Sequence, residues 1–175
     1  MKPKSYTVTD MKKWKEVDFV CDISDMPEEL LKDTYDIVVC TEAIEHIKDW
    51  KTAILNLMKL TKVGGFILLT SRSKGFGYHS FPNDFWRYEL EDISAIFSEW
   101  DIEVLCEDLF VSPKNGFQDH YGFFLKAYKK NDVLPDLKDY LLYNIETDKR
   151  HFPNADRSTV DCKMIRTNLD YEVET

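Results

Sequence analysis

At 175 residues the chain is long enough for one domain with a full hydrophobic core, and 43% hydrophobic with 14% aromatic residues is a globular composition. Its formal charge of −9 opposes non-specific attraction to nucleic acid and to anionic membranes, since both depend on a positive field, so neither is expected as a partner. No window approaches the roughly 20 apolar residues of a membrane span, the Lys-rich start MKPKSYTVTDMKKWK lacks a secretory core, and Cys21, Cys40, Cys106 and Cys162 lack zinc-site spacing; a cytoplasmic protein with free thiols is expected.

Strand-like and helix-like segments alternate along most of the chain, which argues for an α/β layered domain. SYTVTD (5–10) and VDFVC (17–21) are short strand candidates, joined by a polar link with Lys12, Lys13 and Lys15. PEELLKD makes a short helix with Pro27 in its first turn. In YDIVVCTEAIEHI (35–47) the apolar run Ile37–Cys40 reads as a strand buried on both faces of a parallel sheet. Ligands of such sheets bind beyond the carboxyl ends of the strands, so Thr41 and Glu42 stand where a small-molecule site is expected. Glu45 and His46 follow Glu42 by three and four residues, and a helical turn brings them to the same side. Glu42 as a cap of that turn and His46 as a packing residue are the plainer readings.

In KDWKTAILNLMKLTKVGG, Trp50, Ala53, Ile54, Leu57 and Met58 recur at helical spacing, and Gly64 is placed to close the helix in a left-handed conformation. FILLTS (66–71) is a second buried strand ending in hydroxyls. EDISAIFSEW sets Ile93, Ile96, Phe97 and Trp100 on one helical face, and DIEVLCED and YGFFLKAYKK are late strands. Residues 1–130 form the α/β domain on this reading. The remainder, 131–175, holds one more helix in LPDLKDYLLYNIE and then a mobile or surface-draped tail without sustained period.

SRSKGFGYHSFPNDFWRY (71–88) is the longest non-periodic stretch of the core, and loops this long are often functional. It carries Phe76, Tyr78, Phe81, Phe85, Trp86 and Tyr88 beside His79, Asp84 and Arg87. The structural reading is a loop pinned by its aromatics with Asp84 and Arg87 paired as a brace. The chemical reading makes His79 a general base, because imidazole titrates near neutral pH, with Tyr78 positioning the acceptor. The fragment GFG (75–77) is too short for a nucleotide-binding motif.

VCDISDMP, then YDIVVCTEAIEHIKDW, then the helix with KVGGFILLT, in this order over about residues 17–100, resemble the class I S-adenosylmethionine-dependent methyltransferases, particularly the type 11 group. The resemblance implies a Rossmann-like sheet and S-adenosyl-L-methionine as cofactor. It implies that Asp22 accepts a hydrogen bond from the adenine amino group, with the backbone of Ile23 beside the ring, although Asp most often caps a turn after a strand. Asp10 falls at the acid that holds the ribose hydroxyls. Cys40, Thr41 and Glu42 fall at the strand tip that lies against the methionine portion and faces the acceptor. His46 falls at the histidine that fixes this turn. A form close to YHSFPNDFWRY occurs in one subset of the family.

The family also binds its cofactor with a Gly-rich loop after its first strand. The six glycines here are Gly64, Gly65, Gly75, Gly77, Gly116 and Gly122, so none precedes SYTVTD. By family order the chain starts just before the second strand, and a sheet incomplete at its N-terminal side is expected. Either the chain is a shortened member, or SYTVTD pairs directly with DIVVCT to close the gap. The implied function is methyl transfer to a small-molecule, glycan or other hydroxyl or amine acceptor. The alternative is a non-catalytic methyltransferase-like subunit or remnant whose exposed sheet edge recruits a second chain into a homo- or hetero-oligomer. A nicotinamide oxidoreductase is disfavoured, because no GxGxxG is present.

Overall fold

A computed structural model describes residues 4–32, 34–74, 76–79, 83–111 and 118–148. In chain order the elements are β1 (Thr9–Asp10), β2 (Phe19–Val20), α1 (Glu28–Leu31), β3 (Tyr35–Thr41), α2 (Trp50–Leu60), β4 (Thr61–Arg72), β5 (Trp86–Arg87), α3 (Leu90–Ile96), β6 (Asp101–Val111), β7 (Gln118–Tyr128), β8 (Tyr143–Asn144) and α4 (Ile145–Asp148). Tight 3₁₀ turns lie at Ile23–Asp25 and Ile44–His46.

The main sheet has the order β3-β4-β7-β6. β3 and β4 are parallel and joined by the crossover helix α2, whereas β7 runs antiparallel to both β4 and β6. Ala53, Ile54, Leu57 and Met58 of α2 are buried against this sheet, as the helical period requires. Asp49 caps the helix by accepting from the Thr52 N–H at 3.2 Å. At the other end the buried Lys129 of the chain leaving β7 donates from Nζ to the carbonyls of Met58 and Thr61, at 3.1 and 2.9 Å. A cation there satisfies the last carbonyls and complements the helix dipole.

β1 and β2 form a separate parallel pair and do not join the main sheet. The gap is therefore not closed by pairing SYTVTD with DIVVCT among the described residues. A side-chain link, Tyr35 Oη donating to Thr7 Oγ1 at 3.1 Å, connects the segment before β1 to the start of β3. The Asn56 side-chain amide donates to the Ile23 carbonyl at 2.9 Å and ties the turn after β2 to α2.

Three expectations are corrected. β3 is not buried on both faces: Val38 and Cys40 are each 6% exposed, whereas Ile37 and Val39 are 52% and 61% exposed. The strand lies at the edge of the main sheet, and α2 covers only one of its faces. Gly64 does have a left-handed φ of 84°, but it does not close α2. The helix stops at Leu60, and Gly64 sits in an irregularity of β4, where the partners of β3 jump from Thr61 opposite Tyr35 to Phe66 opposite Ile37. Finally, LPDLKDYLLYNIE is helical only at its end. Its apolar residues make separate contacts instead: Leu137 is buried and the Tyr140 hydroxyl donates to Asp92 Oδ1 at 2.9 Å, whereas Leu141 is exposed.

No helix among the described residues is long and apolar enough to cross a membrane. Gly75, Phe81, Gly116, Cys162 and the expected mobile tail from residue 149 onward lie outside the described residues.

Candidate functional site

The parallel strands β3 and β4 end side by side, with Thr41 opposite Thr70. The chain then turns sharply at Glu42, whose φ is 51°. That turn is held from β4. The Glu42 N–H donates to the Thr70 carbonyl at 3.1 Å, the Thr70 hydroxyl donates to Glu42 Oε1 at 2.8 Å, and Arg72 Nε lies 2.5 Å from Oε2. Thr41 is exposed at the tip. Cys40 points the other way, into the core, where burial pushes its thiol up to about 12. Only its backbone can face a ligand.

The 3₁₀ turn that follows separates two neighbours. Glu45 is wholly buried, and its Oε2 accepts from the equally buried Ser71 hydroxyl at 2.7 Å. Burial pushes this carboxyl up, against the lowering effect of Ser71. His46 is half-buried and lies under the long loop, with Nδ1 donating to the Asn83 carbonyl at 2.5 Å.

The loop is stitched to this turn along its described length. The Phe85 N–H donates to the Glu45 carbonyl at 2.9 Å, Trp86 Nε1 to the Ile47 carbonyl at 2.9 Å, and the Tyr88 hydroxyl to the Ile44 carbonyl at 3.2 Å. Arg87 is fully buried and clasps Asp84 through two bonds of 2.6 Å. Its other N–H groups donate to the carbonyls of Phe76, Gly77 and Trp86. The expected brace is thus present and also holds the backbone of Phe76 and Gly77.

Asp84 in turn carries His79. Asp84 Oδ2 accepts from the His79 N–H at 2.8 Å and lies 2.9 Å from His79 Nδ1. Burial alone would raise the Asp84 carboxyl, but Arg87 and the His79 N–H hold it below the usual range. The His79 side chain is 35% exposed, and burial draws its imidazole down despite the nearby Asp84. Its ring centroid is 4.8 Å from that of His46 and 5.0 Å from that of Phe76. Tyr78 precedes it and is half-buried.

Asp10 and Asp22 are engaged locally. Asp22 Oδ1 accepts from both the backbone N–H and the hydroxyl of Ser24 at 2.8 Å, which caps the 3₁₀ turn containing Ile23. Asp10 Oδ1 accepts from the Lys12 N–H at 2.8 Å and Oδ2 from Trp14 Nε1 at 2.9 Å, and these bonds lower its carboxyl.

The structure thus brings His79 together with His46, Glu45 and Ser71, and Glu42 with Thr70 and Arg72. Sequence reasoning missed Ser71 and the meeting of His46 with His79, which only the packing of the loop on the turn creates. The hydroxyl ending of FILLTS was the available signal for Ser71.

A family model described as a methyltransferase domain matches residues 4–109. No curated protein sequence matches the chain. Among solved structures, the N-methyltransferase NodS from Bradyrhizobium japonicum, in complex with S-adenosyl-L-homocysteine, is similar at 13% identity with a TM-score of 0.51, over 71% of this chain and 66% of that one. TehB from Haemophilus influenzae is similar at 18% identity and a TM-score of 0.48, over 65% of this chain and 42% of that one. A methyltransferase from Methanosarcina mazei gives 13% and 0.47, over 69% and 70%. The chain therefore spans 42% of the length of one of these relatives and 66% of another. NodS supports the α/β fold alone.

S-adenosylmethionine is the cofactor that goes with such a domain. The residues fit its adenine end: the turn after β2 presents the Ile23 backbone, and the cap at Asp22 uses Oδ1 and leaves Oδ2 for an amino group. They fit the ribose less well, because each Asp10 oxygen already accepts one bond.

Proposed function

The chain belongs to the methyltransferase-domain family, and on that premise we propose that it transfers a methyl group from S-adenosylmethionine to a hydroxyl or amine of a small-molecule or glycan acceptor. The observation that carries this reading is His79, a partly exposed imidazole backed by the Asp84–Arg87 pair in the loop beside the strand tips. Asp22 and Ile23 would hold the adenine, Asp10 the ribose, and the turn at Cys40, Thr41 and Glu42 the methionine side. The cofactor supplies an electrophilic methyl group on a sulfonium. The chain's own work is alignment, exclusion of water by the aromatic loop, and removal of one proton from the acceptor. Asp84 holds His79 in place through its backbone N–H, an imidazole nitrogen of His79 takes the acceptor's proton, and Tyr78 positions the acceptor.

Label transfer from methyl-labelled S-adenosylmethionine to a panel of sugars, alcohols and amines tests the reaction. With an acceptor found, His79→Ala is expected to lower turnover by roughly 10² to 10⁴ with cofactor affinity nearly unchanged. Full turnover in that variant overturns the role of base.

A second reading, a non-catalytic methyltransferase-like subunit, is favoured by the uncovered Ile37 and Val39 on edge strand β3. On that reading the chain forms a homo- or hetero-oligomer through this edge. A monomer in light scattering that also binds S-adenosylhomocysteine contradicts it.

A further inference from the structure

Glu45, His46 and His79 come from the turn after β3 and the loop before β5, yet one donor atom from each lies within 4.8 Å of the other two. Each is oriented from behind. Ser71 donates to Glu45 Oε2, His46 Nδ1 donates to the Asn83 carbonyl, and His79 Nδ1 faces the Asp84 carboxylate. A carbonyl only accepts, so the Asn83 contact keeps the His46 proton on Nδ1 and leaves its Nε2 lone pair free, whereas His79 Nδ1 lies 2.9 Å from Asp84 Oδ2 without a hydrogen bond. His46 Nε2 stands 3.8 Å from Glu45 Oε1, and Oε1 makes no hydrogen bond although Glu45 is wholly out of water. Acceptor thus faces acceptor in a buried place, an arrangement that is costly unless something positive lies between them.

We propose that Glu45, His46 and His79 form a binding site for a divalent first-row transition-metal ion, with Glu45 Oε1, His46 Nε2 and one imidazole nitrogen of His79 as ligands. Two imidazoles and one carboxylate suit manganese, iron, cobalt or zinc better than magnesium or calcium, which prefer oxygen throughout. An ion at about 2.0–2.2 Å from each donor needs the donors roughly 3–3.5 Å apart. Glu45 Oε1 and His46 Nε2 stand 3.8 Å apart, so closing on an ion would take a small shift of these two donors together with rotation of His79, the most exposed of the three. Three protein ligands leave coordination positions open. There an acceptor hydroxyl would bind the ion and become more acidic. That consequence rests on the methyl-transfer reading, whereas metal binding itself does not. With the ion bound, His79 serves as ligand instead of base.

The rival account is a proton held on Glu45 and shared with His46 Nε2, which burial of the carboxyl also favours. Titration of the full chain with MnCl2, without S-adenosylmethionine and followed by electron paramagnetic resonance, decides between them. The expected result is one ion per chain with nitrogen hyperfine couplings from imidazole, undisturbed by an equal concentration of magnesium. Glu45→Gln, which keeps the shape and the Ser71 contact, and His79→Ala are each expected to weaken binding by about 100-fold. No binding at millimolar manganese, a bound ion without nitrogen couplings, or undiminished binding in folded E45Q and H79A chains overturns the site. The nitrogen couplings of the native chain need no variant, so the test stands even if a substitution prevents folding. Failure of methyl transfer would leave these results untouched.

Discussion

Arg87 and Asp84 are both withdrawn from water, and their value lies in what each would cost without the other. Asp84→Asn keeps the shape but leaves the guanidinium buried without its counter-charge, and the expected loss is about 3–5 kcal/mol in urea unfolding at pH 7. The sign with pH follows from the depressed Asp84 carboxyl. A depressed carboxylate contributes its stability above the unfolded value of about 4 and loses it as pH falls through the lower folded value. The gap between native chain and variant is therefore full at pH 7 and 5 and narrows below about pH 4; a gap constant down to acid unfolding contradicts the pairing. Cys40 gives a second residue-level expectation. Its thiol sits in the core and is pushed up to about 12, so iodoacetamide at pH 8 is expected to reach it only after unfolding, whereas the half-buried Cys21 reacts in the native state. Equal labelling of both in the folded chain would place Cys40 at the surface.

At the scale of elements, α2 and β4 were readable because each satisfies one dominant period, with Ala53, Ile54, Leu57 and Met58 on a helical stripe and Ile67 and Leu69 alternating into the core. β3 was readable as a strand and misread in its burial. Periodicity cannot report whether a second layer covers Ile37 and Val39, since that depends on elements elsewhere in the chain. LPDLKDYLLYNIE was misread because its apolar spacing serves separate contacts of Leu137 and Tyr140 with the body. In the site, the Asp84–Arg87 brace is local and was legible, whereas Glu45, His46 and His79 meet only through the packing of the loop on the turn. The irregularity of β4 is testable on its own terms. A Cβ on Gly65 would lie 2.6 Å from the Asp36 carbonyl oxygen, and backbone cannot swing aside as a side-chain tip can. Gly65→Ala is expected to cost about 1–3 kcal/mol in thermal unfolding. Gly64→Ala has open space and pays only for its left-handed φ, about 1–2 kcal/mol. A neutral Gly65→Ala would mean that β3 and β4 are not this close.

The described residues combine a four-stranded sheet, a small β5-β8 pair beside the loop, and a separate β1-β2 pair carrying Asp10 and leading into Asp22. Methyl transfer requires those parts to serve one ligand. The adenine side rests on the cap at Asp22 and the backbone of Ile23, tied to α2 through Asn56. Calorimetric titration of the full chain with S-adenosylhomocysteine tests that requirement most directly. The account predicts saturable heat with one ligand per chain, weakened about tenfold in Asp22→Ala, the cost of one hydrogen bond of about 1.4 kcal/mol to adenine. No heat and no thermal shift at millimolar ligand would contradict it.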